Sequence, residues 1–160
     1  MDRITRSATN VIAVVTALAW VIAVVIGKSD QAALALGFIP ARLTGIAVPW
    51  PAVPAFLTPL TATLAHAGLI HLGFNLLVFV WCGGAVERVL GKTGLIVLYL
   101  IGAYAAALAQ WAVDPSGTVP MIGASGAISA VMGAFALSFG RARHPRPPHS
   151  CRKYRRGRSC

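Results

Sequence analysis

The sequence predicts an all-α, polytopic bundle of transmembrane helices with about four spans. Three observations carry that expectation. The chain is 57% hydrophobic and only 11% charged, with a mean hydropathy of +0.73, which is too apolar for a soluble domain of 160 residues. Apolar runs close to the ~20 residues that cross a hydrocarbon core recur along it. The few charges within residues 1–140 fall at the ends of these runs rather than inside them.

The first run, 10–27, follows Arg3 and Arg6. It reads as a retained helix rather than a signal peptide, because it is longer than most signal cores and no small-x-small cleavage site follows it. Residues 28–60 contain Pro40, Pro49, Pro51, Pro54 and Pro59, so they cannot form one helix. Their apolar content, including Phe56 and Leu57, predicts a structured loop lying at the membrane surface. Three further spans are expected at 69–86, 94–113 and 122–140. With the N-terminus in the cytoplasm, Arg3, Arg6, Arg88 and Lys92 lie inside, against Lys28 and Arg42 outside, as the positive-inside rule requires. The expectation is therefore a multi-pass integral protein of a bacterial inner membrane, with a membrane domain over 1–140.

After Gly140 the composition switches to Arg, Pro, Ser and Cys, and most of the net charge of +10 comes from this stretch. Nothing in 141–160 can build a packed core. It reads either as a disordered basic tail held near anionic lipid or as the product of a frameshift in a GC-rich gene. No fold with exposed aromatic residues accompanies the charge, so nucleic acid is not an expected partner. The lipid bilayer is one. Cys82, Cys151 and Cys160 match neither a zinc spacing nor a disulfide framework.

Chemistry concentrates in Pro120–Gly133. Ser125 stands between small residues where Pro120, Gly123 and Gly126 read as a loop feeding a helix. A hydroxyl there lies beside the free N–H groups of a helix start, a placement that suits attack on a carbonyl. Gly126, Ala130 and Ala134, with Ser129 and Gly133, leave one helix face nearly bare, which also serves close helix packing without any catalysis. His66, His71 and Asn75 form a second group of polar residues in apolar surroundings. His71 and Asn75 are four apart, hence on one helix face, and together offer donors to a developing oxyanion. Hydrogen bonding between helices is the competing use. A metal site is not expected, since no Cys or carboxylate stands at helical spacing from the histidines, and no cofactor is implied. Glu87, beside Arg88, reads as a structural acceptor for loop N–H groups or a partner for a base.

The ordered set His66-Ala-Gly-Leu-Ile-His71-Leu-Gly-Phe-Asn75, Gly83-Gly-Ala-Val-Glu87-Arg-Val-Leu-Gly91, Tyr99 and Gly123-Ala-Ser125-Gly126-Ala resembles the rhomboid family of intramembrane serine proteases. The resemblance covers about residues 57–140. It implies a six-helix core whose serine–histidine dyad lies below the outer membrane face and cleaves transmembrane substrates. Position by position it implies Ser125 as nucleophile, with His71, Asn75 and the Ser125 N–H as the oxyanion hole. Gly123 and Gly126 would shape the serine turn, and His66 and Glu87 would be structural. Two departures follow. Leu57-Thr58 stands where the family often has Trp-Arg, and the fifth and sixth spans, with the base histidine, have no counterpart here. His144 and His149 are not carried over as that base. The expectation is a serine endopeptidase by family, truncated and inactive alone, with a non-catalytic membrane-protein binder as the alternative.

Overall fold

The computed structural model describes residues 7–140, and every regular element in it is helical. Arg3, Arg6 and the basic segment 141–160 lie outside the described residues.

Helix α1 (Ala8–Val25) begins two residues before the apolar run because Ser7 supplies an N-cap, its Oγ accepting from the Asn10 N–H at 3.4 Å. The chain then turns at Gly27 into α2 (Ser29–Leu36), which carries Asp30 in its first turn. This helix was not expected within the proline-broken loop. Its residues all precede Pro40, so nothing prevents them from coiling.

Beyond α2 the loop is a series of tight turns. Pro40 opens a 3-10 turn (Pro40–Thr44), and further turns at Ala55–Leu57 and Ala62–Leu64 flank the short α3 (Thr58–Thr61). Long-range bonds pin it to the helices. Phe38 and Met121 exchange both backbone bonds, at 3.0 and 2.8 Å, and Ala41 N–H donates to Gly117 O at 3.0 Å. Thr61 Oγ1 donates to Leu36 O at 2.7 Å, and Tyr104 Oη to Phe56 O at 3.0 Å.

The two middle spans are one helical element, α4 (Leu69–Val113), broken by a single residue. Gly91, at φ 72° and ψ 173°, is in a conformation that side chains resist, and the chain reverses there. Phe79 and Tyr99 show the reversal: their rings lie 5.4 Å apart, whereas 20 residues of straight helix would separate them by about 30 Å. The arms 69–90 and 92–113 thus form a helical hairpin. The separation expected between the spans, 87–93, is absorbed by helix on both sides of Gly91.

Helix α5 (Ser125–Phe139) packs into this hairpin. Its Ala127, Ile128 and Val131 are buried with Phe79, Cys82 and Val86 of the first arm and Leu95, Tyr99 and Ala103 of the second. The contact depends on residues that have almost no side chain. A Cβ on Gly102 would lie 2.7 Å from Ala130 Cβ, and one on Gly126 would overlap Ala106. Part of the bare stripe on α5 is therefore filled by the second arm, while Ser125, Ser129, Met132 and Gly133 stay exposed. Helix α1 crosses the first arm the same way, with Thr9 against Gly83.

Among the described residues, α1 and α4 are long and apolar enough to cross a membrane, and α5 is a shorter apolar helix of 15 residues. It starts at Ser125 rather than 122 because Gly123, at φ 108°, cannot be helical. Its length is about 22 Å, against a hydrocarbon core of about 30 Å.

Candidate active site

Ser125 is the first residue of α5, with Ala124 as its cap and no side chain closing the helix end. The N–H groups of the first turn therefore remain open beside the hydroxyl. The loop before it is held on both sides. Met121 pairs with Phe38, and the Gly123 N–H donates to Ala62 O at 2.9 Å.

Gly123 brings the two sequence clusters together. The His71 ring, on the first turn of α4, turns its Cε1–Nε2 edge against it: a Cβ on Gly123 would sit 2.7 Å from both atoms. Only glycine permits that approach, and its positive φ excludes other residues independently. His71 thus stands beside the backbone two residues before Ser125. One helical turn further along α4, Asn75 is 7% exposed and its Nδ2 donates to His71 O at 2.8 Å. That bond uses one of two amide hydrogens and leaves the other available. A cavity of about 20 Å³, close to the size of one water, borders Gly123, Ser125 and Gly126, with Pro59 and Thr63 across from them.

His66 backs this arrangement. Its ring meets the His71 ring edge-on at 5.0 Å, and its carbonyl accepts from Trp20 Nε1 at 3.0 Å. The side chain is 5% exposed, and neither ring nitrogen has a partner among the described residues. Burial, and next the neighbouring His71, lower its pKa from 6.5 to about 4. The unfolded chain then binds a proton at a pH where the folded one does not. Stability contributed by the neutral ring is complete above about pH 6.5 and is lost as pH falls towards 4. Thermal unfolding of the detergent-solubilised protein is expected to shift downward through that window, and His66→Gln to flatten the shift.

Glu87 is not part of this cluster. It sits at the opposite end of α1 from Trp20, about 18 Å away along that helix. Its carboxylate accepts from Ser7 Oγ (2.8 Å), Ala8 N–H (2.9 Å), Thr9 N–H (3.0 Å) and Thr9 Oγ1 (2.7 Å). Its acceptor role is played for a helix start 79 residues away rather than for its own loop. Gly126 also serves packing, against Ala106, while its neighbour Ser125 faces outward. Among the described residues, no group of three or more His, Cys, Asp or Glu could hold a metal ion.

Sequence reading missed the Trp20 indole and the Ala62 carbonyl, which fix His66 and Gly123. A tryptophan near the end of an apolar run is a visible signal, but its partner stands 46 residues away.

A direct comparison assigns the family: a model of the Rhomboid domain matches residues 54–152, well over half of the chain. The chain belongs to the rhomboid family. That makes it an integral membrane protein, and the helices above are a polytopic rhomboid bundle. Rhomboid protease GlpG of Enterobacter sp. is 36% identical over 113 residues, covering 64% of this chain and 40% of that protein. Rhomboid protease GluP of Bacillus subtilis is 37% identical over 75 residues, 47% of this chain and 14% of that one. Rhomboid-related protein 3 of Homo sapiens is 36% identical over 75 residues, 47% of this chain and 18% of that one. This rhomboid chain spans less than half the length of each of these curated relatives.

Proposed function

We propose that this protein is an intramembrane serine endopeptidase in which Ser125 attacks a peptide bond of a transmembrane substrate. The observation that carries the reading is the contact of the His71 ring with Gly123, which sets a polar donor beside an open helix start bearing a serine. As Ser125 Oγ bonds to the carbonyl carbon, negative charge builds on the carbonyl oxygen. The Ser125 N–H, the free Asn75 amide hydrogen and His71 are the groups that would stabilise it. Loss of the amine leaves an acyl-enzyme on Ser125, which water then hydrolyses.

A serine hydroxyl needs a base to take its proton. The described histidines do not fill that role in this reading: His66 is buried behind His71, and His71, beside Gly123, is read as an oxyanion donor. The described residues by themselves therefore form a nucleophile and an oxyanion site with little hydrolytic rate. The same observation favours a second reading, a non-catalytic rhomboid that holds transmembrane segments. With the short α5 anchored at the cytoplasmic face, Ser125 would lie about 8 Å below the opposite edge of the hydrocarbon core, within reach of a substrate helix end.

A serine-directed fluorophosphonate separates the two readings. Labelling confined to Ser125, and faster when imidazole is added as a soluble base, is expected of the protease. An unlabelled Ser125 in a folded protein that still co-purifies with a transmembrane client would establish the binder instead.

A further inference from the structure

Helix α1 and the second arm of the hairpin do not close on each other. Between them lies a groove of about 260 Å³, walled by Val11 and Val15 of α1 and by Ile96 and Leu100 of the arm. The residues of each wall are four apart and so share a helix face. Val11, Val15 and Ile96 are 46%, 49% and 42% exposed, so the groove opens sideways from the bundle. Leu60 and Leu64, on the turns between α2 and α4, complete the lining. Thr16, Thr63 and Tyr99 also border it, but all three are buried, and the Thr63 hydroxyl donates to Leu60 O at 2.7 Å. A slot lined in this way offers nothing to a polar ligand.

The two walls set its depth in the membrane. Helix α1 has 18 residues, about 27 Å, and the arm is apolar from Gly94 to Val113, about 30 Å, each near the thickness of a hydrocarbon core. Their adjacent ends mark one boundary of that core, because Glu87 binds the start of α1 and the arm sets out from the reversal at Gly91. Val11 and Ile96 lie about one turn inside this boundary, at the depth of lipid tails. Lys92 stands at the boundary itself. It is exposed and four residues before Ile96, hence on the same face, and an ammonium there keeps its head among lipid headgroups. Spread over the roughly 12 Å from Lys92 to Leu100, the volume leaves a channel about 5 Å across, half the width of a helix. That width admits a hydrocarbon chain and excludes a protein segment. Each large apolar side chain outside the described residues, Met1, Ile4 and Tyr154, also adjoins a charged residue that tail depth would desolvate.

We propose that this groove holds one acyl chain of a membrane phospholipid, with the Lys92 ammonium on the phosphate of the same molecule. The site needs only the membrane bundle, so it stands or falls independently of catalysis at Ser125.

The test is native mass spectrometry of the whole chain released from detergent micelles that contain phosphatidylglycerol as the sole lipid. A retained one-lipid adduct is expected. Val15→Trp, which fills the groove, should lower the bound fraction at least about tenfold, since several methylenes lose their place. Leu18→Trp, at an exposed position of the same helix outside the groove, should leave it unchanged. Ile96→Trp, on the facing wall, decides the matter should Val15→Trp not fold. Lys92→Gln should lower binding about fivefold, the size of one basic residue near a lipid phosphate. Diacylglycerol, which has the tails and no phosphate, should then bind the unmodified chain and Lys92→Gln equally. A chain lacking residues 2–6 should bind phosphatidylglycerol as the unmodified one does. An adduct that survives groove filling, or that Leu18→Trp loses to the same extent, would overturn the site, and stronger binding without residues 2–6 would show that this segment fills the groove instead. Unchanged phosphatidylglycerol binding in Lys92→Gln, or unequal binding of diacylglycerol, would overturn the phosphate contact.

Discussion

Replacing Ser125 by alanine is expected to abolish cleavage in any preparation of this protein that hydrolyses a membrane-embedded reporter. The loss should be about 10⁴-fold or more, because removal of a nucleophile eliminates the acyl-enzyme route and leaves only the oxyanion site. The neighbouring hydroxyls among the described residues are engaged: Thr63, which borders the same cavity, donates to Leu60 O at 2.7 Å. Ser129 stands one turn further along α5, but its Oγ donates to the Ser125 carbonyl at 2.8 Å, which ties it back along the helix. The measurement is initial rate against enzyme concentration for Ser125→Ala and Ser129→Ala in parallel. Ser129→Ala should cleave close to normally. Cleavage that survived in Ser125→Ala would show that the serine at the start of α5 is not the reacting group.

The largest effect on stability is expected at Glu87. Its two oxygens accept four hydrogen bonds from Ser7, Ala8 and Thr9, and two of the donors are backbone N–H groups at the start of α1. These are groups that no helix can satisfy internally, and the helix dipole places its positive end there. Thr9 is itself buried against Gly83, so its donors cannot turn to solvent. Glu87→Ala should cost about 3 kcal/mol, in the range for a charged acceptor removed from several buried partners. Glu87→Gln should cost about half, since its amide oxygen still accepts while its amide nitrogen faces other donors. Thermal denaturation in detergent checks both. A change within experimental error for Glu87→Ala would mean that water replaces the carboxylate and that α1 is held by packing alone.

What the sequence revealed depended on the range over which its signals act. Apolar runs are local, and they correctly announced a helical membrane bundle. The positions of Ser125 and His71 were legible because a serine among glycines and a histidine in an apolar run are both conspicuous against their neighbours. The extent of helix around the expected reversal at Gly91 was harder to read. Leu90-Gly91-Lys92 looks like the middle of a loop, and only the backbone angle of one residue shows that helix continues on either side. The contacts that assemble the site were not legible at all. Trp20 with His66, Phe38 with Met121 and Ala62 with Gly123 join residues far apart, through backbone groups that carry no residue-specific mark.

The same long-range bonds bear on how the protein is made. Helix α1 leaves the ribosome well before the helical hairpin, yet its start is satisfied by a carboxylate 79 residues later in the chain. At about 5–20 residues per second, translation delivers Glu87 roughly 4–16 s after Ala8. For that interval the donors at the start of the first helix stand open, and water serves as their temporary acceptor. Glu87 then displaces it as the first arm of the hairpin arrives, so a chain without this carboxylate would keep the start of α1 open after synthesis is over.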